Sequence, residues 1–404
     1  MRAEPCVVVG AGHAAVSAAM TLRNAGFVGG IEILGEEPDI PYQRPLLSKR
    51  YLEGLVAPER LPIRPRSLYE RLGISMRTGA HVTAIDRDER RVVLADGSEI
   101  GYCQLLLATG SRARELDVPG CSHPRVHRLR SRADADRLRA QLAPDARLVV
   151  IGGGYAGLEV AAAAVKRGLR VTVLEAANRL LARVTGHAVS TFLHDAHRAA
   201  GVDVHTSAQV SGVAARADDS VAVSCRSGDA HVADVVLVAI GASPNVSLAR
   251  DAGLPCEDGI VVDERARTAD PHIFAAGDTA NHPSRSLGRR LRLESVHNAA
   301  EQAKVAARTI CGDDATYDQL ARFWSDQYDH RLQSIGVAGG HDEEVVRGDP
   351  ASGAFTVIYL RDGQPIAIDA VNEPTQLAAG RSLLLQSAPI SRACIDAAFA
   401  CAIA

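Results

Sequence analysis

Short runs of consecutive apolar residues, each followed by a glycine turn and an alanine-rich stretch, recur along this chain. The first, Cys6-Val7-Val8-Val9, leads into Gly10-Ala11-Gly12-His13-Ala14-Ala15, a helical run to about residue 25 and a second apolar run over 31–34. The same order returns with Arg147-Leu148-Val149-Val150-Ile151, Gly152-Gly153-Gly154-Tyr155-Ala156-Gly157, a helical run to about residue 167 and a further apolar run over 170–174. Apolar runs without polar alternation mark strands covered on both faces. Each copy therefore predicts a βαβ unit of a parallel sheet. A proline-broken connection over 38–65 follows the first unit, with a short helix expected near 48–53. Strands near 91–94 and 105–108 close that segment, and one over 235–240 closes the second.

Beyond residue 241 the pattern predicts an acidic loop, a strand over 273–276 and a helix over 295–311. The last segment differs: Phe323, Trp324, Tyr328, Phe355 and Tyr359 gather there, 354–360 and 365–370 read as antiparallel strands, and 376–387 as a last helix. At ~100–200 residues per domain, 404 residues exceed one core. The expected fold class is α/β, with two Rossmann-like dinucleotide-binding domains plus a C-terminal α+β domain. The boundaries read as 1–111 with 241–315 for a discontinuous first domain, 112–240 for the second and 316–404 for the third.

The repeated turn carries chemistry. A strand, a tight glycine turn and a helix start hold a pyrophosphate, because glycine admits the phosphate close to the backbone and unpaired amides face it. Gly10, Gly12 and Ala15 supply one such turn, and Gly152, Gly154 and Gly157 another. Each second strand ends at an acid, Glu36 or Glu175, placed to accept the ribose hydroxyls of an adenosine. Two dinucleotide sites in one chain imply FAD, held throughout, together with a nicotinamide that exchanges.

Composition removes other classes. Lysine and arginine total 45 against 48 aspartate and glutamate, a net charge of −3, so neither nucleic acid nor an anionic membrane is called for. The eight cysteines form no C-x-x-C pair, which argues against zinc and a redox disulfide and for reduced thiols in a cytoplasm. No apolar stretch reaches the ~18 residues of a membrane span. The closing Cys401-Ala402-Ile403-Ala404 matches a prenylation box in form only, with no basic segment before it. His194 and His197, with His187 nearby, lack a converging acid or thiol and read as surface residues, with no metal.

Further motifs carry a resemblance. Leu107-Ala108-Thr109-Gly110-Ser111, Ala239-Ile240-Gly241-Ala242-Ser243-Pro244-Asn245 and Phe274-Ala275-Ala276-Gly277-Asp278 resemble signatures of the two-dinucleotide flavoprotein reductases. Within that superfamily, Pro41-Tyr42-Gln43-Arg44-Pro45-Leu46-Leu47-Ser48-Lys49, Leu293-Glu294-Ser295-Val296-His297-Asn298-Ala299 and Phe323-Trp324-Ser325-Asp326-Gln327-Tyr328 resemble the ferredoxin reductases of the putidaredoxin reductase type, over nearly the whole chain.

The resemblance implies a role for each matching residue. Gly277 and Asp278 would hold the ribityl and phosphate portion of FAD, Arg44 and Arg130 the phosphate or adenine side, and the Val82 backbone the adenine. Val296 would lie against the isoalloxazine and Trp324 at its dimethylbenzene edge. Lys49 would lie near flavin N5, facing Glu159. His297 departs from the family's usual glutamine or proline, and His13 is a second departure. Flavoenzymes of related plan that reduce disulfides or peroxides carry a cysteine soon after the first βαβ unit, yet none occurs from Val7 to Tyr102. The implied activity is electron transfer from NADH through FAD to a [2Fe-2S] ferredoxin that supplies an oxygenase or cytochrome P450, by a monomer. Lys304, eight residues after Val296 on the predicted helix, and Arg64, which follows the flavin-binding connection, are placed to present positive charge to an acidic ferredoxin docking near Trp324. The alternative is a redox-sensing interaction protein resembling apoptosis-inducing factors.

Overall fold

The computed structural model describes residues 4–385 and residue 395. The end of the last expected helix and the Cys401–Ala404 box lie outside these residues. The chain divides into two compact units: Met1–Arg44, Glu59–Arg112 and Ala242–Ala321 form one, and Pro45–Pro58, Ala113–Gly241 and Arg322–Ala404 the other.

The first unit is built on a five-stranded parallel sheet, in the order Ile273–Ala275, Gln104–Leu107, Cys6–Val9, Ile31–Gly35, Ile74–Thr78. Alternate residues of the central strand enter different cores. Cys6 and Val8 pack under the helices His13–Asn24 and Val296–Ile310, which meet through Ala15, Ala18, Ala19, Ala303 and Ala307. Val7 and Val9 pack against the antiparallel sheet Val82–Asp86, Arg91–Leu94, Glu99–Gly101. An apolar run at every position is what a strand with two covered faces requires.

The second unit repeats this arrangement. Its parallel sheet runs Asp203–His205, Arg170–Leu174, Arg147–Ile151, Val235–Val238, Val126–Arg128. Leu148 and Val150 enter the core that also takes the helix Tyr155–Lys166, whereas Val149 and Ile151 face the antiparallel sheet Val210–Ala215, Val221–Cys225, Ala230–Ala233. The C-terminal segment forms a five-stranded antiparallel sheet, in the order Arg322–Gln327, His330–Gly336, Gln364–Val371, Ala354–Arg361, Glu343–Asp349. Phe355, Val357 and Tyr359 on one face join the core of Leu148 and Val150, and Ile358, Leu360 and Ile368 on the other pack with Leu383 of the helix Pro374–Leu384.

Two local expectations are corrected. Residues 48–53 form no helix: a 3-10 turn over Arg44–Leu46 continues as turns in which the amides of both Lys49 and Tyr51 reach the Leu46 carbonyl. Burial of Tyr51 and Leu52 in the second unit sets the path of the segment instead. His197 is not a surface residue: it is fully buried, on the inward side of the helix His187–Ala199.

Candidate functional site

The two glycine turns share one backbone geometry. Gly10 and Gly152 have φ of +113° and +112°, which glycine adopts without strain. A Cβ at Gly10 would stand 2.1 Å from the Ala108 carbonyl oxygen, and one at Gly152 2.4 Å from that of Ala239. Gly12 and Gly154 then cap their helices with no side-chain oxygen on the first amides, and a Cβ at either meets nothing within 4 Å. Uncapped amides facing open space at a helix start fit the pyrophosphate of a dinucleotide such as FAD or NADH. The third positions differ. Ala15 is fully buried with its methyl accommodated, whereas a Cβ at Gly157 would lie 2.2 Å from the Gly152 carbonyl oxygen.

In the first unit, hydrogen bonds join the three signature segments. The Thr109 hydroxyl donates to the Asn245 carbonyl at 2.7 Å, and the Asn245 amide returns a bond to the Thr109 carbonyl at 2.9 Å. Ser111 Oγ donates to Asp278 Oδ2 at 2.9 Å. The Gly277 amide donates to the buried Gln302 side chain at 2.9 Å. Gln302 escaped the sequence reading; its signal was a polar residue on the alanine face of its helix. Val82 is a buried strand residue, and Val296 opens a helix whose Ser295 hydroxyl caps the Asn298 amide, with His297 next in line. His13 is the first residue of the first helix.

Glu36 is largely exposed and pairs with His81 at 3.1 Å. Its neighbour Glu37 went unnoticed, yet it carries a network: it accepts from the Tyr42 hydroxyl at 2.7 Å and from the Arg44 guanidinium, which also donates to Tyr42 at 2.9 Å. Arg44 is thereby held in one orientation.

In the second unit, Glu175 accepts the Gly153 amide at 2.6 Å and the Ala177 amide at 2.7 Å, one on each oxygen. The carboxylate braces the turn. Glu159, only 6% exposed, receives Lys49 Nζ at 2.7 Å and the Ser48 and Ser325 hydroxyls at 2.6 Å each. Lys49 and Glu159 are thus brought together as expected, and the two serines are additions. Ser325 follows the half-buried Trp324 on the strand Arg322–Gln327. Arg130 precedes the Ser131 and Asp134 capping box, and its amide donates to Asp134 at 3.1 Å. Arg64 and Lys304 are exposed in the first unit, with Lys304 paired to Glu301 at 2.6 Å.

Six free cysteines lie among the described residues. Burial pushes the thiol pKa of each upward. None is activated as a thiolate nucleophile would be.

Residues 4–303 match the family model described as pyridine nucleotide-disulphide oxidoreductase, and residues 322–400 match the one described as reductase C-terminal. The chain belongs to the pyridine nucleotide-disulphide oxidoreductase family. A ferredoxin–NAD(P)+ reductase from Sphingomonas sp is 44% identical over 392 residues, 96% of this chain and 95% of that protein. The ferredoxin–NAD+ reductase component of an anthranilate 1,2-dioxygenase system from Burkholderia cepacia is 43% identical over 389 residues, 96% of each. The crystal structure of a covalent putidaredoxin reductase–putidaredoxin complex matches with a TM-score of 0.94 and 40% identity over 99% of both chains. Within the family the chain stands with the ferredoxin reductases, as its motifs indicate. No helix among the described residues is long and apolar enough to cross a membrane.

Proposed function

We propose that this oxidoreductase passes electrons from NADH, through FAD, to a [2Fe-2S] ferredoxin that serves an oxygenase or cytochrome P450. The observation that carries the reading is the pair of uncapped glycine turns in one chain whose described thiols are unactivated, since hydride transfer needs orientation and electrostatics but no protein nucleophile. When bound, FAD supplies two-electron acceptance and one-electron release. The residues do the rest. The first turn, with Gly12 and Ala15, takes the FAD pyrophosphate, and Ser111 steadies Asp278 for the ribityl chain. The second turn takes NADH. Lys49, charge-balanced by Glu159, presents a fixed ammonium.

Glu175 selects NADH. A 2′-phosphate beside this carboxylate meets like charge, at ~4 Å and an effective dielectric of ~20 a repulsion of a few kcal/mol. The test is reconstitution of the flavin-loaded protein with candidate ferredoxins, read by cytochrome c reduction with each nicotinamide. NADH should give the higher kcat/KM, and Glu175→Ala should narrow the gap; equal or better use of NADPH by the parent overturns the assignment.

The ferredoxin docks as an acidic partner of a monomeric reductase, with Arg64 as the freer of the two expected cations because Glu301 offsets Lys304. Reversing both charges should slow ferredoxin reduction and flatten its salt dependence while sparing a small neutral acceptor. Unchanged ferredoxin kinetics would remove both residues from the interface.

A further inference from the structure

We propose that Asp203, His205 and His231 form a binding site for a divalent late transition-metal ion, Zn2+ foremost, separate from the dinucleotide turns. Asp203 and His205 bound the strand Asp203–His205, an edge of the second unit's parallel sheet. Two apart on a strand, they project from the same face. His231 comes from the strand Ala230–Ala233, an edge of the antiparallel sheet of the same unit. One donor atom from each residue lies within 4.8 Å of the others. His205 Nε2 is already 2.8 Å from Asp203 Oδ2, and the two imidazole rings stand 4.7 Å apart between centroids.

Ligands at about 2.0–2.2 Å in a tetrahedral array stand roughly 3.4 Å from one another, so side-chain rotation brings the three donors into place. Two imidazoles and one carboxylate form a donor set that favours Zn2+, Co2+, Ni2+ or Cu2+ over Mg2+ and Ca2+. Asp203 is exposed and both histidines reach solvent, so water completes the coordination. The bound ion ties the free edge of the parallel sheet to an edge strand of the neighbouring sheet, which stabilises the unit by mass action.

The test is calorimetric titration of the chelator-washed, flavin-loaded full chain with ZnCl2, alongside His231→Gln, Asp203→Asn and, as a control, His194→Gln. We expect one equivalent of Zn2+ to bind the parent and the control with a rise in Tm, and affinity to fall ~10-fold or more in the two ligand variants. Co2+ in place of Zn2+ should give visible bands of a tetrahedral nitrogen and oxygen site in the parent, absent in both ligand variants. Should His231→Gln lose its flavin, Asp203→Asn, at a residue whose side chain is 65% exposed, carries the test. Equal affinity and stoichiometry across parent, His231→Gln and Asp203→Asn would overturn the proposal and leave the ion on other side chains.

Discussion

Glu159 shows how one residue's environment defines its use. A carboxylate 6% exposed is costly to bury unless its lone pairs are engaged, and here a lysine and two hydroxyls engage them. A hydrogen bond to a charged group contributes about 1.5–3 kcal/mol. Ser325→Ala and Ser48→Ala should each lower stability in chemical denaturation by about that amount. Together they should cost more than their sum, because the second deletion strips the last hydroxyl from a sheltered charge. Strictly additive costs would show that the two serines do not share the carboxylate. Ser325 also lies at the end of a longer chain of bonds. It accepts from the Gln327 amide at 3.0 Å, Gln327 Oε1 lies 2.9 Å from His197 Nε2, and His197 Nδ1 lies 2.9 Å from the Tyr328 hydroxyl. With His197 neutral, Nε2–H donates to Gln327 and Nδ1 accepts from Tyr328, so every member is satisfied.

At the level of elements, that chain joins the helix His187–Ala199 to the strand Arg322–Gln327 around an imidazole whose burial makes it costly to charge. Burial, the largest influence, drives the His197 pKa down to about 4 from 6.5. As pH falls below 6.5 the unfolded chain gains a proton that the native state refuses until about 4, so stability declines across that window. The parent should lose on the order of 3 kcal/mol more than His197→Gln between pH 7 and pH 4. Parallel losses, followed by denaturant midpoints at each pH, would contradict this. The glycine turns offer a second contrast between elements. The first helix tolerates the Ala15 methyl, but the second lies so near its turn that a Cβ at Gly157 meets the Gly152 carbonyl oxygen at 2.2 Å. Gly157→Ala should therefore abolish saturable NADH binding while flavin content stays at parental level. Retained NADH affinity would mean that the turn relaxes without loss. Both βαβ units were legible because their signals are local: an unbroken apolar run, a glycine at positive φ, a helix start. The helix expected at 48–53 was not, because its backbone follows the burial of Tyr51 and Leu52 rather than its own periodicity.

For the whole molecule, bound FAD is part of the folded state, and its removal is a thermodynamic experiment. A ligand at a thousandfold excess over Kd stabilises by about 4 kcal/mol. Flavin-stripped protein should unfold at lower temperature in a thermal scan, and FAD should restore the Tm. FMN should not, since it lacks the pyrophosphate and adenosine that the first turn receives. Equal rescue by FMN would count against the turn as the binding element. The sequence by itself determined the two parallel sheets, the turns at Gly10 and Gly152, the antiparallel character of the C-terminal sheet and, through its motifs, the family. Each of these is written within a few dozen consecutive residues, where side-chain period and glycine placement constrain the backbone directly. Only the tertiary structure decided that Ser325, 166 residues from Glu159, would share its charge, that Gln302 would hold the Gly277 amide, that His197 would be buried, and that His231 would come to stand beside Asp203 and His205. Periodicity tells which face of an element is covered. It is silent on which distant segment covers it, and the partner of a buried polar group is a property of that packing.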